Sequence, residues 1–242
     1  MQLTTDQRLM LNYPSIVVLT GAGISAESGI RTFRGSDGLW ENHSIEDVAT
    51  PEGYYRNPAL VQAFYNDRRQ RLSEVVCNAA HKALSDFEKS FDGEFLLVTQ
   101  NVDDLHSRAG SQNLIHMHGE LYKASCQDTE QVFEWYEDLT TETLCPCCQM
   151  AGNLRPHIVW FGEMPLEMDR IYKALSQCDL FVSIGTSGNV YPAAGFFEEA
   201  KAAGAETVEL NLEPGSNASR FDRSLSGPAT ELVPEFFNTL LE

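Results

Sequence analysis

In "IHMHGEL", His116 and His118 stand two residues apart, and a glycine follows the second. Imidazole titrates near neutral pH and is the commonest general base. In an extended strand both rings would share a face, and Gly119 would leave His118 accessible. The same rings also suit structural hydrogen bonding, and a metal site using both lacks a third ligand nearby. His43, His81 and His157 carry only the structural reading. In "TQNVDDLH", Asn101 can donate and accept, whereas an ionised Asp103 only accepts. At a strand end the pair could grip an amide such as a ring carboxamide. Either residue could instead cap the helix that follows.

A second group of residues suits anions. Gly21 and Gly23 follow the apolar run "SIVVLT", so the backbone could approach a pyrophosphate beside a helix N-terminus. The next glycine is Gly29, which departs from the regular dinucleotide spacing G-x-G-x-x-G. A tight strand-to-helix turn is the other reading. Arg31 and Arg34 come next, in a chain with only 17 basic residues. They suit anion contact, or they are solvated charges. Further on, Tyr65 and Arg68 are three apart and share a helix face. They could hold a carboxylate by a charge-assisted bond, or form a solvated face with Arg69 and Arg71.

Cysteines form a third group. Cys145 and Cys148 make C-x-x-C, and eighteen residues separate Cys126 from Cys145, a zinc-type spacing. Thr129 sits where the second cysteine would be. The expected ligands are Cys126, Cys145 and Cys148, with Cys147 a candidate for the fourth place. Cys77 and Cys178 read as small buried residues.

These side chains need a scaffold. "SIVVLT", "FLLVT", "LFVSIG" and "TVELNL" are apolar throughout and end in polar or glycine-rich clusters. They read as buried parallel strands. Ala80, Ala83, Leu84 and Phe87 fit one helix face, as do Met168, Ile171, Tyr172 and Leu175. Strands alternating with helices imply an α/β parallel sheet with helices on both faces. Ligands of such sheets bind beyond the carboxyl ends of the strands, where the polar clusters fall. Residues 30–75 and 120–156 interrupt the pattern and read as excursions into a smaller second lobe.

Composition limits the function. Of 242 residues 43% are hydrophobic, enough for a core, and the net charge is −18. Such an acidic chain is unsuited to nonspecific nucleic-acid binding. No stretch approaches the roughly 18 apolar residues of a membrane span, and the start lacks the pattern of a signal peptide. Clustered cysteines suit a metal in a reducing compartment, so the cytoplasm is the expected location. The expected assembly is a monomer or weak oligomer.

"GAGISAESGIRTFRG", "TQNVDDLH", "HMHGEL", "RPHIVWFGE", "IGTSGNVYPAAGF" and "VELNLEP" resemble the sirtuin family, in sirtuin order across most of the chain. The chain is most similar to short bacterial sirtuins of the CobB type. The resemblance implies a Rossmann-like large lobe of about residues 1–30, 76–119 and 157–242. It implies a small zinc-binding lobe from insertions at about 31–75 and 120–156. The activity implied is NAD-dependent removal of acyl groups from protein lysines, releasing nicotinamide and O-acyl-ADP-ribose. NAD is then a consumed co-substrate and zinc is structural.

Site residues follow by motif position. His118 would be the catalytic base, with Asn101 and Asp103 also in the catalytic set. The Gly21-Ala22-Gly23 loop would hold the pyrophosphate, and Ser25, Ala26, Glu27 and Trp40 join the cofactor-binding set. Phe33 and Arg34 would lie over the ribose and nicotinamide. Gln100, Asn101, Val102 and Asp103 would order the ribose and carboxamide. Thr186, Ser187, Asn211 and Glu213 would serve the adenosine half, beside Gly185, Leu212 and Ala229. Val159, Phe161, Gly162 and Glu163 would flank the acyl-lysine peptide. Tyr65 and Arg68 match the Y-x-x-R pair that marks acceptance of acidic acyl groups such as succinyl and malonyl. Rival readings are a nicotinamide-dependent dehydrogenase, which would want the regular glycine spacing, a non-catalytic NAD sensor, and a mono-ADP-ribosyltransferase.

Overall fold

The apolar runs of the sequence are the central strands of a parallel sheet. The computed structural model describes residues 13–32, 39–40 and 43–241. In chain order the strands are β1 (Ser15–Thr20), β2 (Leu39–Trp40), β3 (His43–Ser44), β4 (Glu94–Thr99), β5 (Leu114–His116), β6 (Gly119–Cys126), β7 (Val132–Glu134), β8 (Leu154–Ile158), β9 (Leu180–Ile184), β10 (Glu206–Asn211) and β11 (Arg223–Ser226). The helices are α1 (Ile45–Val48), α2 (Pro51–Arg56), α3 (Pro58–Leu72), α4 (Ala79–Ser90), α5 (Leu105–Ala109), α6 (Met168–Leu175), α7 (Phe196–Ala202) and α8 (Ala229–Thr239).

Six strands form one sheet in the order β11-β10-β9-β1-β4-β5, and every pairing is parallel. Alternate residues of each central strand face opposite layers. Ile16, Val18, Phe95, Leu97, Leu180 and Val182 pack with α4 and α8. Val17, Leu19, Leu96, Val98 and Phe181 pack with α6 and α7. Both faces are covered, so the central strands read as mostly apolar runs, with buried polar residues such as Thr20, Thr99 and Ser183 toward their carboxyl ends. Each fully buried Val, Leu or Phe contributes about 1.5–3 kcal/mol.

The helices start where their local chemistry allows. Asn78 opens α4 with a capping box: its side chain accepts from the backbone N–H of Ala80 and His81, and the His81 ring returns to the Asn78 N–H. Asn57 and Pro58 open α3 in the same spirit, the Asn57 side chain accepting from Leu60 N at 3.1 Å.

A second sheet, β7-β6-β8, is antiparallel and carries the cysteine cluster. Its own core is Ala124, Cys126, Leu139, Cys145 and Leu154. A third cluster around Tyr65, Leu121, Ile158 and Trp160 joins α3 to β6 and β8.

From β1 the chain steps to β4 and β5 on one side, and only later to β9, β10 and β11 on the other. The order therefore reverses between β1 and β9. A crevice is expected beyond their carboxyl ends.

Candidate active site

At that crevice the loop after β1 crosses the loop after β9. Gly21 N donates to Ile184 O at 3.0 Å, and Gly23 N donates to Gly185 O at 2.9 Å. A Cβ on Gly23 would lie 2.6 Å from Gly185 Cα. Gly185 has φ +61°, and a Cβ there would meet Ile24 N at 2.5 Å. The glycines thus let two backbones touch, a reason beyond the approach to a phosphate expected from the sequence.

A cleft of about 960 Å3 opens above this crossing. It is lined by His118, by Gln100 to Asp103, by Gly21, Ala22 and Gly23, and by Ala26, Glu27 and Trp40. Gly185, Thr186, Ser187, Asn211, Leu212, Glu213 and Ala229 line it as well. So do Tyr65, Arg68, Val159, Phe161, Gly162 and Glu163. Ser25 lies beneath the lining, fully buried. Phe33 and Arg34 lie outside the described residues. Arg31 and Arg71 also line the cleft, so cations gather here in an acidic protein.

His118 does not share a strand face with His116. Strand β5 ends at His116, and Met117-His118 form the turn into β6. His118 Nδ1 lies 3.0 Å from Gln100 O. A carbonyl only accepts, so the Nδ1–H donates and neutral Nε2 keeps its lone pair. Burial pushes the imidazole pKa down, and the Gln100 carbonyl opposes this in part. His118 is therefore neutral at pH 7. His116 instead sits against Ser107 Oγ at 3.2 Å and Glu120 at 3.6 Å.

Ser25 is the hub between the glycine loop and the β4 end. It donates to Asp103 Oδ2 at 3.1 Å and accepts from Asn101 Nδ2 at 3.2 Å. Asn101 Nδ2 also reaches Gly21 O at 3.2 Å. Asp103 Oδ1 accepts from Leu105 N at 3.1 Å. The two sequence readings of this motif are thus joined in one residue: Asp103 ties down the start of α5 and also braces the cleft. Burial raises its carboxyl to about 6, against the bonds from Leu105 and Ser25.

Tyr65 and Arg68 rise from α3. The buried Tyr65 hydroxyl accepts from Trp160 Nε1 at 3.0 Å and keeps its own proton to donate. Burial pushes its pKa well up, so it stays a phenol. Arg68 is aimed by its Nη1 bond to Phe64 O at 2.7 Å and by stacking on the Phe64 ring at 3.2 Å. Glu163 is a brace. Burial raises its carboxyl pKa, but Arg155 and the Trp160 N–H outweigh this and hold it below its ordinary value.

A family model described as the Sir2 family matches residues 21–192. The chain belongs to the Sir2 family. It is 60% identical over 235 residues to the NAD-dependent protein deacylase of Salmonella typhimurium, covering 96% of this chain and 86% of that one. It is 61% identical over 231 residues to the NAD-dependent protein deacylase of Escherichia coli strain K12, with coverages of 95% and 83%. Among solved structures, a Sir2 homolog–NAD complex superposes with a TM-score of 0.86 at 37% identity, covering 96% of this chain and 92% of that one. A Sir2 bound to acetylated peptide gives 0.81 at 26% identity, with 98% of each chain covered.

This Sir2 chain also brings four sulfurs together. Cys126, Cys145, Cys147 and Cys148 place their Sγ atoms within 4.8 Å of one another. Cys126 and Cys148 are 3.9 Å apart, and Cys145 and Cys147 are 3.3 Å apart. A tetrahedron with Zn–S bonds of about 2.3 Å has edges of about 3.8 Å. The donor set and spacing therefore fit a closed structural zinc site. Cys147 stands where the fourth ligand left open by the sequence would be. Its Sγ lies 3.3 Å from Thr129 Oγ1, beside the residue that breaks the spacing pattern. Bonds from Thr129 draw the Cys126 thiol down to about 6, toward the thiolate that a metal needs. Asn153 Nδ2 donates to Cys148 Sγ at 3.2 Å and supports the set from outside.

Sequence reasoning missed some of the Sir2 cleft. Ile30, Leu121, Asn189 and Ser216 line it without a chemical signature of their own. His81 carried only a structural reading, yet its Nε2 lies 3.4 Å from the Ser25 hub. Its position three residues after the capping Asn78 was the available signal.

Proposed function

We propose that this chain is an NAD-dependent protein-lysine deacylase that removes acetyl and acidic acyl groups, succinyl and malonyl, from lysine side chains. The observation that carries the reading is the meeting of three groups in one cleft. These are a neutral, oriented His118, the Gly21–Gly23 crossing, and the Tyr65–Arg68 pair. The relatives named as NAD-dependent protein deacylases support the same activity. The Sir2 bound to acetylated peptide supports an acyl-lysine partner.

NAD supplies the ribose carbon that takes the acyl oxygen when the nicotinamide bond breaks. The chain's residues do the rest. Gly21 to Gly23 and the ends of β9 and β10 hold the phosphates and adenosine. Asn101 and Asp103 order the ribose and carboxamide side. His118 Nε2 takes a proton from a ribose hydroxyl. Water then hydrolyses the acyl-bridged intermediate, and nicotinamide, deacylated lysine and O-acyl-ADP-ribose leave. Val159, Phe161 and Gly162 flank the peptide, and Glu163 fixes their turn.

An acidic acyl group brings negative charge to a protein of net charge −18. Arg68 offsets that locally, and the Tyr65 proton adds a hydrogen bond. In this reading residues 31–75 and 120–156 form the smaller lobe, its fold fixed by zinc. The six cysteines are free of disulfides, which suits a cytoplasmic location.

The test is mass spectrometry of acetyl-, succinyl- and malonyl-lysine peptides with and without NAD. The expected result is NAD-dependent loss of the acyl mass with nicotinamide release. NADH absorbance without acyl loss would make the protein a dehydrogenase. Mass gained by the peptide would make it an ADP-ribosyltransferase, and no change with any acyl group a sensor.

A further inference from the structure

Strand β10 carries Thr207, Glu209 and Asn211 on one face, because side chains alternate along a strand, while Val208 and Leu210 enter the core on the other. Each polar side chain of that row ties down a loop. Thr207 Oγ1 donates to Asp222 Oδ2 at 2.8 Å. Asn211 Nδ2 donates to Thr186 O at 2.8 Å. Between them, Glu209 Oε2 accepts from Gly215 N at 3.3 Å and from Ser224 Oγ at 2.8 Å.

Glu209 is only 3% exposed. A carboxylate at that depth is expensive unless it is well bonded. An apolar side chain would serve the sheet at lower cost. What the carboxylate holds is one wall of the cleft. Leu212 to Ser216 line it, facing Gly185 to Ser187. Ser216 Oγ donates to Ser187 O at 3.3 Å, and Asn217 Nδ2 donates to Gly188 O at 3.1 Å. Gly215 sits so close that a Cβ there would lie 2.4 Å from Glu209 Oε1. A small cavity of about 20 Å3, bounded by Glu209, Thr186 and Gln100, lies beside the carboxylate.

We infer that Glu209 is a positioning residue for the adenosine half of NAD. Its buried carboxylate anchors residues 212–216 against the loop after β9 and touches no substrate itself. The inference rests on the cleft being the NAD site proposed above.

Steady-state kinetics and calorimetric NAD binding test it together. Glu209→Ala is expected to raise the KM for NAD about tenfold or more, the order of a lost hydrogen bond to a charged group. The kcat and the KM for acyl peptide stay unchanged. Glu209→Gln keeps an oxygen for Gly215 N and restores most of the affinity. Gly215→Ala raises the KM in the native background, yet costs little more on top of Glu209→Ala, because the methyl then meets no carboxylate. If Glu209→Ala does not fold, Ser224→Ala removes one of the two bonds and reads the same KM. A fall in kcat with an unchanged KM for NAD, or fully additive costs at 209 and 215, would overturn the role. A native protein that binds no NAD would overturn the reading of the cleft itself. Native binding matched by every variant would overturn only the role of Glu209.

Discussion

Among the described residues, sixteen buried ones pack on one face of the six-stranded sheet and fifteen on the other. Among the described residues, the three-stranded sheet has a core of five, and two of those are cysteines. The parallel region can stand on apolar burial alone. The cysteine region cannot, because ordering a backbone costs about 1–2 kcal/mol per residue. A structural zinc contributes about 10–16 kcal/mol to such a module. One chain therefore holds its chemistry between a region stabilised by packing and a region stabilised by metal. His118 stands at the join, one residue before β6 begins.

The largest break in that contrast is removal of a ligand. Cys145→Ala should release zinc and open β6, β7 and β8, while β1 and β4 stay protected. Metal content and amide hydrogen exchange report the two halves separately. Activity should vanish with the metal, since β6 carries the turn that places His118. Retained zinc with native exchange in β6 would mean that packing suffices there after all.

Next in size is His118→Ala, expected to lower the deacylation rate by about 10²–10⁴ with neither sheet changed in hydrogen exchange. Its pH profile sharpens the point. Burial holds the His118 pKa below the ordinary imidazole value, so the neutral base persists below about pH 6.5. Activity falls as pH drops through that lowered value. Asp103, raised to about 6, loses its charge as the pH drops through that value. A rate unchanged across pH 6 would remove Asp103 from the mechanism, and one that never falls with acid would remove His118.

A pair of cavity variants probes the cores directly. Leu97→Ala should cost about 2–5 kcal/mol of global stability by denaturant titration. Leu139→Ala should cost the zinc-loaded protein less, and after chelation, with β6 to β8 already open, it should cost almost nothing. Equal costs with metal bound would erase the distinction. Smallest is the effect on specificity: Arg68→Met should lower desuccinylation about a hundredfold, as loss of a buried ionic partner does, and deacetylation far less. Parallel losses on both acyl groups would leave Arg68 a packing residue.

Legibility in the sequence followed the same division. The strands were plain because burial on two faces makes "SIVVLT" and "LFVSIG" mostly apolar, with Thr20 and Ser183 the polar residues they bury. The buried side of helix α3 was not, because it buries polar residues by bonding them. Arg69 donates to Leu121 O at 2.8 Å and to Glu137 O at 3.2 Å, so a charged residue is 2% exposed inside an apolar cluster. The histidine pair misled because spacing alone cannot mark the end of β5. The fourth sulfur stayed open for a similar reason: Thr129 breaks the linear pattern, and only the folded turn brings Cys147 to its side. The cleft motifs were legible as a set through family resemblance. Single residues such as Ser216 were not.

The crossing of Gly23 and Gly185 sets a rule for anyone who would alter this protein. Each glycine's backbone occupies the space that a methyl on the other would need. No single substitution at either position can be relieved by a compensating one at its partner, since both faults are with backbone. The seam between the two halves of the sheet is therefore closed to gradual change. New substrate preferences must be sought along α3 and the turn after β8, where side chains meet side chains.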